Sequence, residues 1–197
     1  MKNIVQIGTY DRPDPNISEF IGKDGYNIFL IEGNIIALER LKKCLESYPN
    51  IIYGNFLVSN YDGKRKFYIY KDQSNPSECH QIHSVLKTHL EGHGANSNWI
   101  EEVELECYTL ESTLKLFNIK DQEIDTLFLD TEGHDSDIII STDFSKINIK
   151  NMLFEIQHSD GVHHKGIKLS NIINHLHSFN YTLTEVDNGF NMWAKKL

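Results

Sequence analysis

Near its middle the chain carries Asp125-Thr-Leu-Phe-Leu-Asp-Thr-Glu-Gly-His134, a short apolar run that ends in two carboxylates and a glycine. A run this brief and this apolar reads as a buried strand of a parallel sheet. Asn3-Ile-Val-Gln-Ile-Gly8 is a second one and also ends in glycine. In an open α/β sheet ligands bind beyond the carboxyl ends of the strands, so acids and glycines at those ends mark where chemistry is expected. The two segments read as walls of one cleft.

The rest of the chain supplies the rhythm of such a sheet. After the strand Ile4 to Ile7, the pattern predicts a helix from about Asn16 to Gly22 and a strand from Asn27 to Ile31. A helix capped by Asn34 follows, with Ile35, Leu38, Leu41 and Leu45 at helical spacing, and then a third strand over Ile51 to Val58. Between about 60 and 107 the alternation breaks. Asp62-Gly63 marks a turn, and Lys66 to Tyr70 reads as an antiparallel hairpin strand. Gln73 to Ser97 is polar and holds His80, His83, His89 and His93, and Glu102 to Tyr108 is again extended. This stretch reads as an insertion, or as a lid over the sheet's carboxyl edge.

The rhythm resumes with a Thr109-capped helix from Leu110 to Phe117, a strand from Ile124 to Leu129, a helix from about Asp135 and a strand from Asn151 to Ile156. A helix over Ile167 to Phe179 leads to Tyr181 to Val186, and Asn188-Gly189 predicts a two-residue hairpin into Phe190 to Ala194. Single helices between strands imply right-handed crossovers. The expected fold class is α/β, a three-layer Rossmann-like sheet, mostly parallel, closed by a carboxy-terminal antiparallel hairpin strand. One domain over 1–197 accommodates it.

Composition narrows the function classes. A formal charge of -9 and a pI near 5.5 disfavour a protein that grips phosphate backbones, so no nucleic-acid partner is expected. Cys44, Cys79 and Cys107 form no Cys-x-x-Cys pair, which argues against a disulfide framework or a thiolate zinc site. No apolar run approaches the roughly 18 residues of a membrane span, and the strand that begins at once leaves no leader, so the expected location is the cytoplasm. The oligomeric state is left open.

Glu32 closes the second strand, where an acidic side chain can accept hydrogen bonds from the hydroxyls of a ribose. A carboxylate that merely favours the following helix N-terminus explains it equally well when taken alone. Glycine after the first strand, acid after the second and a terminal hairpin together form the plan of the class I S-adenosylmethionine-dependent methyltransferases. Within that class the sequence resembles the FkbM family, through Val5-Gln-Ile-Gly8, Leu30-Ile-Glu-Gly-Asn34, Val58-Ser-Asn-Tyr-Asp-Gly63, Thr109-Leu-Glu-Ser-Thr-Leu114, Leu127-Phe-Leu-Asp-Thr-Glu-Gly-His-Asp135 and Leu153-Phe-Glu155.

The resemblance implies S-adenosylmethionine as cofactor and O-methyl transfer onto a sugar or other small hydroxylated metabolite. It assigns the cofactor to Gly8, Thr9, Tyr10, Asp11, Glu32, Gly33, Leu57, Val58, Ser59 and Asp130, with Leu57 to Ser59 near the adenine. Asp130, Glu132 and His158 are the catalytic candidates, because the transfer needs a group that takes the hydroxyl proton. Asp130 and Glu132 share a direction if the extended geometry persists past the strand. The competing reading makes Glu132 or Asp135 a cap for the next helix. A divalent metal among His134, Glu155 and His158 is conceivable but not favoured, and His163, His164 and the four upstream histidines read as polar surface.

One departure stands out. Where the family continues after Gly8 with Ala-Asn-x-Gly, this chain has Thr9-Tyr-Asp-Arg12. Arg12 either swings to solvent or fills the cofactor's approach, and in the second case the chain is a catalytically silent, methyltransferase-like binding or assembly module. A dinucleotide-binding enzyme is disfavoured by the missing Gly-x-Gly-x-x-Gly.

Overall fold

The computed structural model describes residues 1–71, 81–119 and 123–197; Cys79 and His80 lie outside the described residues. Strand β1 (Lys2–Ile7) leads through a 3-10 turn (Pro15–Phe20) to β2 (Tyr26–Ile31), helix α1 (Ile35–Cys44), β3 (Ile51–Gly54) and β4 (Leu57–Val58). Then come β5 (Gly63–Tyr70), α2 (Lys87–Gly92), β6 (Ile100–Tyr108), α3 (Leu110–Leu116) and β7 (Glu123–Leu129). The chain ends with α4 (Asp135–Ser141), β8 (Asn148–Glu155), α5 (Gly166–Ser178), β9 (Tyr181–Val186) and β10 (Asn191–Lys196).

Seven strands make the main sheet in the order β3-β2-β1-β7-β8-β10-β9, with β10 antiparallel to both its neighbours and the other pairings parallel. The chain winds outward from β1 to β3, then returns to lay β7 against the other side of β1. The crevice between β1 and β7 is therefore the topological switch point of the sheet, where ligands of such folds bind.

The layers follow from which side chains each strand sends to each face. Ile4, Ile28 and Leu30 pack with Leu38 and Leu41 of α1 and Ile17 of the 3-10 turn. Val5, Ile7, Phe29 and Ile31 pack on the opposite face with Leu110 and Leu114 of α3, Ile138 of α4, and Ile172 and Leu176 of α5. Local chemistry starts the helices where the sequence predicts. The Asn34 side chain accepts from the backbone N–H of Ile36 and Ala37, and the Thr109 hydroxyl accepts from Ser112 N.

Three expectations need correcting. Asn16 to Gly22 forms a 3-10 turn over Pro15–Phe20 in place of a helix. Ile51 to Val58 is two strands in two sheets: at Asn55 the chain leaves the main sheet, and the Asn55 amide donates to the carbonyls of Glu32 (2.8 Å) and Gly33 (3.1 Å). The final connection is a four-residue loop, since Val186 pairs with Asn191. Asp187, Asn188 and Gly189 are all left-handed there (φ 51, 55 and 84), which exceeds what a two-residue turn absorbs. The strand it introduces, β10, is inserted between β8 and β9, so the parallel β9 forms the edge.

Strands β4, β6 and β5 form a second, three-stranded sheet in which β5 and β6 pair antiparallel from Gly63↔Cys107 to Tyr70↔Ile100. It brings residues from the 60–107 stretch to the carboxyl edge of the main sheet. No helix among the described residues is long and apolar enough to cross a membrane.

The tightest point of the fold is Gly8. Its φ is +81°, and a Cβ placed on it would lie 1.7 Å from the carbonyl oxygen of Asp130. Gly8→Ala is expected to cost about 3 kcal/mol or more, combining overpacking against backbone with a left-handed alanine, as read by urea denaturation. A loss under about 1 kcal/mol would show that the two strand ends can separate freely.

Candidate active site

A cleft of about 210 Å3 opens at the β1–β7 switch point. Its floor is the loop after β1 (Gly8, Thr9, Tyr10) together with Glu32 and Gly33 at the end of β2. Phe56, Leu57 and Val58 form an apolar side, and Asp130, Thr131, Glu132 and His134 an acidic one. Phe67 of β5 with Gln81, His83 and Val85 closes the remaining wall. Of the sequence-predicted cofactor residues, Gly8, Thr9, Tyr10, Glu32, Gly33, Leu57, Val58 and Asp130 meet here, while Asp11 and Ser59 stand outside the lining.

Glu32 holds the floor together. Its Oε2 accepts from the backbone N–H of Thr9 (3.1 Å) and Tyr10 (2.7 Å), and its Oε1 from Asn34 N (2.7 Å). Burial raises its carboxyl pKa, against which these N–H donors work. With the backbone N–H of Gly33 also acting on this carboxyl, four donors surround its roughly four acceptor sites, so a further donor such as a ribose hydroxyl has to share one of them.

The left-handed positions of this loop are Gly8 and Tyr10 (φ 49), and Arg12 is not among them. Arg12 is exposed at the cleft mouth, where its guanidinium donates to Gln81 Oε1 at 3.1 Å. Its choice between solvent and pocket is thus resolved as a bridge across the entrance.

On the other wall the extended geometry does not persist. Strand β7 stops at Leu129, and Glu132 is left-handed (φ 54), an unusual state for a residue with a Cβ. It is fixed from two sides: the Ser84 hydroxyl donates to its carbonyl at 2.7 Å, and its Oε2 meets His89 Nε2 at 3.0 Å. Asp135 serves structure. It accepts from the backbone N–H of Thr131 (2.8 Å) and Glu155 (3.1 Å) and from the Thr131 hydroxyl, tying the ends of β7 and β8.

These carboxylates are crowded and partly dry, and their pKa values record it. Burial first, then Asp135, pushes Glu132 up to about 7. Glu155 rises to about 9 through burial and the charges of Asp135, Asp130 and Glu132. Asp130 opens on the cleft, yet the surrounding protein and the neighbouring Glu132 and Asp135 raise its carboxyl well above the usual range. A carboxylate titrating near 7 is suited to taking a proton at neutral pH.

His134, which the sequence marked only as a metal candidate, is a buried wall residue. Arg65 Nη1 (3.2 Å) and the Ser59 hydroxyl (3.3 Å) both approach its Nε2. Arginine only donates, so Nε2 is the bare nitrogen and Nδ1 carries the hydrogen; Asp137 Oδ2 lies 3.2 Å from Nδ1, close but out of line for a hydrogen bond. Asp137 also pairs with Lys168 (3.0 Å), and its carboxyl falls to about 2, chiefly through His134.

His158 lies off this cleft. Its Nδ1 accepts from His163 N (2.9 Å), its Nε2 faces Glu155 Oε1 (3.3 Å), and its ring packs against His89 and His93 at centroid distances of 5.0 and 4.9 Å. His163 joins the same group, 4.9 Å from His158. The sequence reading missed the wall residues Phe67, Gln81 and His83, and also Ser84, His89 and Arg65. The only local signal was their position in a stretch that interrupts the βα rhythm.

A family model described as "Methyltransferase FkbM domain" matches residues 6–183. No curated protein matches the sequence. Two solved structures share the fold at low identity. Fibrillarin from Aeropyrum pernix, in complex with natively bound S-adenosyl-L-methionine, is 10% identical with a TM-score of 0.50 over 98% of this chain. The Methanococcus jannaschii fibrillarin pre-rRNA processing protein is 11% identical with a TM-score of 0.53 over 99%. The chain spans 66% of each fibrillarin chain.

The Asp137 network predicts an acid dependence of stability. Its folded pKa of about 2 lies below the ordinary value of about 3.9. The stabilisation is therefore present above about pH 4 and lost as pH falls through about 2. Asp137→Asn is expected to be less stable by about 1 to 2 kcal/mol at pH 7, with the difference vanishing below pH 2. Chemical denaturation across that range checks it, and a constant difference would place the loss in packing.

Proposed function

The chain belongs to the FkbM methyltransferase domain family across residues 6–183, and on that premise we propose that it transfers a methyl group from S-adenosylmethionine to a hydroxyl of a sugar or another small hydroxylated metabolite. The observation that carries this reading is the cleft at the β1–β7 switch point, which sets a glycine-ended strand and Glu32 opposite Asp130 and Glu132. The residues fit the cofactor's chemistry: a backbone approach at Gly8, the Glu32 carboxylate on the floor, an apolar side at Phe56 to Val58, and anionic groups to face a sulfonium and an ammonium.

When bound, the cofactor supplies an electrophilic methyl carbon on a positively charged sulfur. Glu132, raised to about 7, would take the proton that the acceptor hydroxyl loses in the transfer. Asp130 holds the charged end of the cofactor. His134, fixed as an Nδ1–H tautomer by Arg65 with Asp137 close to Nδ1, gives the acidic wall a rigid backing. His158, placed away from the lining, is not the base in this scheme.

Calorimetry with S-adenosylmethionine and S-adenosylhomocysteine tests the premise, with binding of both expected. Glu132→Gln keeps the shape and removes the base, so methyl transfer should fall about 100-fold or more while cofactor affinity stays near that of the parent. Normal turnover in that variant would move the base elsewhere.

The Arg12–Gln81 bridge across the mouth is the observation that bears on the alternative of a silent module. It is an exposed hydrogen bond, so Arg12→Gly should change cofactor affinity by less than about tenfold. A much larger gain, in a parent protein that barely binds, would support the silent module.

A further inference from the structure

The least expected grouping in the fold lies behind the cleft. His89 sits in α2 and His93 directly after it, one helical turn apart and on the same face. His158 comes from the loop after β8, sixty-five residues further along the chain. The three rings touch in every pairing, with centroids 4.7, 5.0 and 4.9 Å apart. One nitrogen from each lies within 4.8 Å of the other two.

We infer that His89, His93 and His158 form a binding site for a divalent transition ion of the zinc kind, which would fasten α2 to the ends of β7 and β8. Three observations support it. Imidazoles packed together gain nothing from one another as cations, whereas three neutral imidazole nitrogens facing one point are the donor set that suits zinc and its first-row neighbours. A hard ion such as magnesium or calcium would call for oxygen donors.

The second is the placement of carboxylates. Glu132 meets His89 Nε2 at 3.0 Å, and Glu155 faces His158 Nε2 at 3.3 Å. A metal-binding imidazole usually donates the N–H of its other ring nitrogen to a carboxylate, the place Glu132 and Glu155 take at Nε2 of His89 and His158. With Glu155 at Nε2 of His158, the ion takes Nδ1, in place of the backbone N–H of His163 that this nitrogen accepts.

The third is charge. Asp130, Glu132, Asp135 and Glu155 crowd this edge: Asp135 ties Thr131 to Glu155, while Glu132 and Glu155 face His89 and His158. Among the described residues Lys168 is engaged with Asp137, and Arg65 with Ser59 and Asn60. A divalent ion on the histidines supplies the missing positive charge. Tetrahedral zinc with bonds of about 2.0–2.1 Å holds its nitrogens about 3.3 Å apart, so nitrogens that lie within 4.8 Å need to close by up to about 1.5 Å, through side-chain rotations. The inference does not depend on the methyl-transfer reading, since the ion can be measured with no cofactor or acceptor present.

The test uses the whole chain, stripped with a chelator and titrated with Zn(II) and Co(II). One equivalent should bind per chain, Tm should rise on binding, and Co(II) should develop visible absorption bands. His93→Ala, at the least buried of the three, should weaken Zn(II) binding by about 100-fold or more, and Glu155→Gln by about 10- to 100-fold. His177→Ala, an exposed histidine on α5, should bind like the parent. X-ray absorption of the zinc-loaded parent, which needs no variant to fold, should count three imidazole ligands. Failure to bind one equivalent, fewer than two imidazoles, or equal binding by His93→Ala and the parent would overturn the site.

Discussion

Everything at the working edge of this protein depends on how closely the ends of β1 and β7 approach. Asp130 N donates to the Ile7 carbonyl at 3.0 Å, and the Asp130 carbonyl occupies the space where any side chain on residue 8 would begin. This contact makes the switch point a narrow, rigid crevice. It fixes where the β1 loop turns, and through Glu32 it fixes the backbone of Thr9 and Tyr10. It also places Asp130 at the cleft mouth. Glycine is required by geometry, because the residue is both left-handed and in contact with backbone.

A second constraint is the concentration of acid at one edge of the sheet, and the fold treats each carboxylate differently. Asp135 is satisfied by backbone and hydroxyl donors and ties two strands together. Glu132 is held by a histidine and by a strained backbone, and Glu155 faces another histidine. Asp130 is left open to the cleft. Groups whose environments are this unequal separate in pKa, and that separation distinguishes structural from chemical carboxylates better than their sequence positions do.

Much of the scaffold was legible because the forces that set it act within a few residues. Asn34 and Thr109 cap helices through N–H groups two or three positions on, and the apolar spacing of Leu38 and Leu41 needs only the helical period. The Ile51 to Val58 run was misread because its break depends on Asn55 reaching carbonyls of β2, twenty-two and twenty-three residues earlier. The terminal turn was misjudged because Asn188-Gly189 favours a two-residue hairpin locally, and the pairing of Val186 with Asn191 overrides that preference. The site was half visible: strand-end glycine and acids were readable, while the wall from Phe67, Gln81 and His83 was not.

By itself the sequence determined the α/β class, the succession of the main-sheet strands along the chain, the starts of the helices capped by Asn34 and Thr109 and the edge of the sheet at which Gly8, Glu32 and Asp130 gather, since periodicity, caps and strand-end residues are local properties. Tertiary structure alone decided that Glu132 meets His89 across forty-three residues, that His158 turns from the cleft to join His89 and His93, and that Arg12 reaches Gln81. Those pairings come from the way the second sheet and α2 pack on the carboxyl edge of the main sheet. Packing between segments so distant in sequence leaves no periodic mark on either of them.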